Sequence, residues 1–163
     1  MCASAAFSPH PSVALTDGDP TVSAVAAAIV RELAASALPD LPAIPDLNEV
    51  SWIRYPAGGG FITAHRDPST YGGLIAILTL HGRATFRVWD GAVLGAPAEV
   101  LDRGTTPSEW PAAAGDLVLH RGNGWPVPGT RSPMHAADPP LEGERMILTF
   151  RHNTRGAGAG YDV

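Results

Sequence analysis

The sequence contains no lysine: all 11 of its basic residues are arginines, set against 16 acids. With a formal net charge of −5, the chain has no broad positive field to gather a polyanion, so duplex nucleic acid is a poor expectation as partner. Cysteine is nearly absent as well. The single one, Cys2, stands at the start of the chain and excludes a disulfide framework. No apolar run is long enough to span a bilayer, and the first residues lack the basic-then-apolar pattern of an export signal. These absences leave a cytoplasmic enzyme or binding domain, with no membrane partner, as the expectation. Charged residues are sparse, at 17%, whereas 18 Gly and 16 Pro break the chain into short segments. A length of 163 residues suits one domain with a real core.

Residues 1–19 are small, polar and Pro-containing, and read as a loosely held arm. Pro20 fits the first turn of a helix with Asp19 as its N-cap. Val22, Val25, Ala26, Ile29, Val30 and Leu33 then mark one apolar helical face. The helix is expected to end near Ala37, because Pro39, Pro42 and Pro45 cannot continue it. From Asn48 onward the apolar runs are Val50–Tyr55, Phe61–Ala64, Leu74–Leu80, Ala84–Trp89, Asp116–His120 and Met146–Phe150, with Gly and Pro between them. Short strands after one helix predict a mainly β, jelly-roll-like double sheet with one or two N-terminal helices packed outside. The expected organisation is a flanking arm and helix over 1–47, a core over 48–153 and a Gly-rich tail over 154–163. The segment Asp90–Ala114, with Trp110, reads as a loop-rich flap.

The chemistry concentrates in two stretches. In the first, Arg54-Tyr55 leads through Gly58-Gly59-Gly60 to His65-Arg66-Asp67. Side chains two apart on a strand share a face, so His65 and Asp67 present an imidazole and a carboxylate together. One further His would complete a 2-His-1-carboxylate facial triad, the ligand set of non-haem Fe(II) oxygenases. His135 and His120 are rivals for that place. On its own, the pair also fits a strand-end His beside a solvated Asp. In the second stretch, Arg145, Ile147, Thr149 and Arg151 share one face of the last strand. A buried guanidinium needs an anionic partner, and Arg binds carboxylates through paired hydrogen bonds. A dicarboxylate cosubstrate would supply it. The competing reading has Arg145 at a frayed strand start and Arg151 paired with a local Asp or Glu.

Taken in order, the R-Y-x-x-G-G-G turn, His65-x-Asp67, Gly115-Asp116, the distal His135 and R-x-x-x-T-F-R from Arg145 to Arg151 resemble the AlkB-like branch of the Fe(II)/2-oxoglutarate-dependent oxygenases. The resemblance runs from about Val50 to Arg151. It implies a double-stranded β-helix, with His65, Asp67 and His135 on Fe(II). It also implies Arg145 and the Tyr55 hydroxyl on the distal carboxylate of 2-oxoglutarate, and Arg151 near the metal-side carboxylate. The activity implied consumes O2 and 2-oxoglutarate, oxidises a substrate and releases succinate and carbon dioxide. Several positions depart from the family pattern. Ile53 and Ile147 stand where AlkB-type enzymes commonly carry Asn, and Ser69 replaces the acid that contacts a damaged base. Little chain precedes the first core strand to build a nucleotide-recognition lid. A small-molecule or natural-product substrate is therefore expected. An oxidative demethylase of alkylated nucleobases and a non-catalytic jelly-roll binding module are the alternatives. Loops beside the ligands would supply Tyr71, Trp125 and Arg131 to the substrate mouth. The oligomeric state is not legible.

Overall fold

The computed structural model describes residues 8–9, 13–14, 18–36, 46–89, 104–125 and 128–156. Their strands are β1 (Ser8–Pro9), β2 (Val13–Ala14), β3 (Glu49–Tyr55), β4 (Ile62–His65), β5 (Tyr71–His81), β6 (Arg83–Val88), β7 (Ser108–Ala113), β8 (Leu117–Arg121), β9 (His135–Ala137) and β10 (Arg145–Asn153). One α-helix, α1 (Pro20–Ala35), precedes the main strands. The chain switches repeatedly between two antiparallel sheets. The larger has the order β1-β3-β10-β5-β8, with β2 also on β3; the smaller runs β4-β9-β6-β7. This is the mainly β, double-stranded β-helix expected from the punctuated apolar runs.

The helix forms where local chemistry dictates. Asp19 caps it by accepting a hydrogen bond from the Thr21 amide at 2.7 Å, and Pro20 needs no amide partner at its first position. It ends at Ala35 with Ser36 as C-cap; Pro39, Pro42 and Pro45 lie outside the described residues. Its apolar face covers the outer side of the larger sheet, where Ala26 and Ile29 pack with Val50, Ala76, Leu148 and Phe150. The inner core lies between the sheets and includes Tyr55, Ile75, Ile77, Phe86, Val118, Ala137 and Ile147. β10 is therefore buried on both faces, so Arg145, Thr149 and Arg151 are enclosed within the barrel.

Two local expectations differ from the structure. The arm is partly tied down: β1 and β2 both pair with β3. The described part of the supposed flap contains β7, which the sequence conceals because Pro111 interrupts it. A Pro cannot donate to a ladder, and β7 tolerates one because it is an edge strand, paired only with β6. Trp110 on β7 lies opposite Phe86, their rings 5.6 Å apart. Residues 90–103 of that segment lie outside the described residues.

The turn that carries the chain from β3 in one sheet to β4 in the other depends on Gly60. Its amide donates to the Pro56 carbonyl at 3.1 Å. A Cβ at Gly60 would lie 2.6 Å from the Pro56 ring and 2.7 Å from the Tyr55 Cα, whereas one at Gly59 would meet nothing within 4 Å. Gly60→Ala is expected to cost roughly 1–3 kcal/mol of unfolding free energy. Gly59→Ala should be neutral or slightly stabilising. Urea denaturation of the two variants checks this, and equal midpoints would contradict it.

Candidate metal centre

The smaller sheet supplies two imidazoles. His65 ends β4 and His135 begins β9, and the two are register partners with ring centroids 4.3 Å apart. Between Ile62 and His65 the register with β9 slips: three steps along β4 match two along β9. Such a bulge re-aims the residues after it. Here it brings His65 onto the face of Ile62, which packs against the inner core. Asp67 follows two residues later, just past the strand. Ligand atoms of His65, Asp67 and His135 all lie within 4.8 Å of one another. The larger sheet sends in a third imidazole. His120 on β8 lies opposite Ile75 of the inner core, with its Nε2 3.8 Å from Asp67 Oδ2; His135 Nε2 is 3.7 Å from the same oxygen.

Hydrogen bonds determine which ring nitrogen is bare. His65 Nδ1 lies 2.8 Å from the Thr63 carbonyl, His135 Nδ1 3.1 Å from that of Pro133, and His120 Nδ1 3.3 Å from that of Arg121. A carbonyl can only accept, so each Nδ1 carries the proton and donates it. Each Nε2 is left with a lone pair. Metal-bound imidazoles almost always have their other nitrogen held in this way.

Electrostatics agree. Burial lowers the pKa of all three imidazoles below the ordinary 6.5, keeping them neutral. Burial alone would raise the Asp67 carboxyl. The Arg151 guanidinium and, whenever one of them is protonated, the imidazoles of His135, His120 and His65 oppose it and pull the group below the usual carboxylate range. Asp67 Oδ2 and His120 Nε2 are both enclosed and neither has a hydrogen-bond partner. An ionised carboxylate faced by bare nitrogens is a donor set suited to a divalent cation.

The two arginines of β10 have different surroundings. Arg151 is paired: its Nη1 lies 3.5 Å from Glu49 Oε1 and donates to the Tyr71 hydroxyl at 2.7 Å, while its Nη2 donates to Ser51 Oγ. It remains close enough to the metal centre to act on Asp67 and His120. Arg145, 1% exposed, donates from Nη2 to Thr79 Oγ1 at 3.2 Å, and its enclosed Nε has no hydrogen-bond partner. Among the described residues no acid pairs with it. Its guanidinium carbon sits 5.5 Å from the centre of the Tyr55 ring. Burial raises the Tyr55 hydroxyl pKa despite both arginines, so Tyr55 stays protonated. Burial also lowers the Arg145 pKa.

Of the residues expected at the substrate mouth, Tyr71 is misplaced. It is the first residue of β5, 3% exposed in the inner core, with its hydroxyl on Arg151. Pairing with Asn153 draws the strand back through Gly72 and Gly73, which from composition look like loop. Trp125 is half-buried, and the Thr130 hydroxyl donates to its carbonyl at 3.3 Å. Arg131 is exposed and, with Arg121, acts on Arg66, whose pKa is lowered chiefly by burial and then by these two charges.

Sequence reasoning missed Glu49, Thr79 and Asn123. The Asn123 amide donates to the carbonyls of Asp67, Pro68 and Tyr71 at 3.3, 2.9 and 3.3 Å and accepts from the Ser132 amide at 3.2 Å. It ties the loop after Asp67 to the segment before His135. Its only signal was its place between two glycines.

No protein-family model and no curated protein matches the sequence. Solved structures with similar coordinates include an oxalate oxidase (14% identity, 66% of this chain and 43% of that one, TM-score 0.43). Others are vicilin from hazelnut, Corylus avellana (13%, 69% and 26%, 0.45), and a double-stranded β-helix protein from Klebsiella pneumoniae (12%, 72% and 74%, 0.42). The match spans less than half of the oxalate oxidase chain. At these scores the fold stands on the strand pairing above, and the metal centre on its own geometry. No helix among the described residues is long and apolar enough to cross a membrane.

The imidazoles give the metal-free protein a pH dependence. As pH falls through 6.5 the unfolded chain takes up protons that the buried rings, with their lowered pKa values, still refuse. Stability is therefore lost as pH falls. Chelator-treated protein should show a lower urea midpoint at about pH 5.5 than at about pH 7.5. A higher midpoint at the acid pH would contradict neutral buried imidazoles.

Proposed function

We propose that this protein is an AlkB-like Fe(II)- and 2-oxoglutarate-dependent oxygenase that oxidises a small-molecule substrate. The observation that carries the reading is the pairing of two complementary charged features on one barrel interior. One is a set of bare imidazole nitrogens around an ionised Asp67, suited to a divalent cation. The other is the Arg145 guanidinium, buried and without an acid beside it among the described residues, which suits a carboxylate. A molecule with a metal-chelating end and a distal carboxylate suits both, and 2-oxoglutarate is such a molecule.

In this reading His65, Asp67 and His135 hold the iron on one face. Arg145 binds the distal carboxylate, with the protonated Tyr55 hydroxyl beside it as a hydrogen-bond donor. Thr79 orients the guanidinium. Arg151 has its charge balanced by Glu49, so its role is to fix the barrel wall and to keep Asp67 ionised. Iron and 2-oxoglutarate, once bound with O2, would supply the oxidising power and release succinate and carbon dioxide. Arg131 and Trp125 remain the residues proposed for the substrate mouth, now with Arg66 close enough to feel both Arg131 and Arg121. Arginines at this density favour a substrate with an anionic group such as a carboxylate.

His65→Ala, Asp67→Ala and His135→Ala are each expected to abolish succinate formation from 2-oxoglutarate, while His120→Ala keeps most of it at saturating iron. Arg145→Ala should weaken 2-oxoglutarate binding by roughly 2–5 kcal/mol, because it removes a hydrogen-bonded charge pair. Tyr55→Phe should cost about 1 kcal/mol. Calorimetric titration of the iron-loaded or manganese-loaded protein measures both. Parental affinity in Arg145→Ala would overturn the cosubstrate assignment.

A further inference from the structure

Three imidazoles surround Asp67, and the triad uses two. His120 is 8% exposed, and its Nε2 is enclosed with no hydrogen-bond partner. A histidine kept only for packing has both nitrogens satisfied, because an unmet buried polar atom is costly. Here Nδ1 meets the Arg121 carbonyl, and Nε2 points instead at Asp67 Oδ2 from 3.8 Å. That oxygen also lacks a hydrogen-bond partner. Two lone-pair atoms facing each other away from water repel, unless a cation stands between them. Resting on the reading of this site as a metal centre, we propose that His120 Nε2 is a fourth protein donor to the ion in the cosubstrate-free protein.

Both imidazole–carboxylate separations are close to those of donors that share an ion. Donors at 2.0–2.1 Å from one metal stand about 3 Å apart in adjacent octahedral positions and about 3.4 Å apart in a tetrahedron. The His120–Asp67 and His135–Asp67 separations, 3.8 and 3.7 Å, each come within an ångström of those values. The His120 and His135 rings are 4.6 Å apart. His120 lies outside the tight set formed by His65, Asp67 and His135 and approaches from the larger sheet. The ion would then be clasped between the two sheets.

Counting positions limits when His120 can bind. Four protein donors leave two of six octahedral positions. A chelating cosubstrate takes both, and dioxygen needs one more. His120 is therefore the donor that yields when 2-oxoglutarate arrives. Of the three Nδ1 contacts, its own is the longest, at 3.3 Å against 2.8 and 3.1 Å. Its role is to retain the ion and keep a position covered until the cosubstrate is present.

Nuclear magnetic resonance of the full chain, labelled with nitrogen-15 in its six histidines, tests this with Zn(II) as a diamagnetic probe. Without 2-oxoglutarate, three Nε2 resonances should move from the free to the metal-bound range, and one of them should be that of His120. Through-bond assignment in the wild-type chain identifies it without a variant. His120→Phe should bind Zn(II) roughly 10-fold more weakly, with two shifted resonances. Saturating 2-oxoglutarate should return the His120 signal alone to its free position. A His120 resonance unmoved by Zn(II) would overturn the proposal. Three signals that stay shifted with 2-oxoglutarate would support His120 as a donor and count against the cosubstrate reading.

Discussion

An ionised carboxylate faced by bare imidazole nitrogens, held where two sheets converge, is the constraint on which the rest of this structure depends. Asp67 and its three histidines belong to β4, β8 and β9 and the segment after β4, so both sheets must converge for the cluster to exist. Without a cation the arrangement is unfavourable: Asp67 Oδ2 and His120 Nε2 are enclosed and lack hydrogen-bond partners. A bound divalent cation would compensate for such a cluster. The Asn123 amide, which joins the loop after Asp67 to the segment before His135, holds the converging pieces in place.

The same reasoning divides the two buried arginines of β10. Both lie on the inward face and both are nearly inaccessible. Arg151 has Glu49 at 3.5 Å and is part of the frame. Arg145 has a hydroxyl, an aromatic face and no acid among the described residues. A buried charge with no counter-charge costs several kcal/mol unless something supplies one. In the proposed function, the cation-seeking end and the anion-seeking end would define the shape and charge of the molecule that binds.

Much of this was legible in the sequence, for physical reasons that differ from residue to residue. The helix start needed only Asp19 and Pro20, a local rule. The shared inward face of Arg145 and Arg151 followed from strand alternation. The His65–Asp67 pair followed from the same rule, but the bulge that turns His65 inward arises from pairing with β9 and has no local signature. β7 was hidden because Pro111 argues against a strand unless the strand is known to be an edge. From sequence alone Tyr71 reads as part of the loop after Asp67, with two glycines following it. Its burial comes from pairing with Asn153 and from the bond to Arg151, both distant in sequence. Glu49 as the partner of Arg151 is likewise non-local. The rivalry between His120 and His135 could not be decided from spacing, because the fold brings both to Asp67.

The central claim is that one molecule bridges the metal centre and Arg145. Anaerobic titration of the Fe(II)-loaded protein with 2-oxoglutarate tests it most directly, followed by the visible charge-transfer absorption of an iron–2-oxo acid chelate. The account predicts that the band appears in the parent, is lost in His135→Ala, and in Arg145→Leu develops only at much higher 2-oxoglutarate. Iron bound at the site with no such band at saturating 2-oxoglutarate would contradict it.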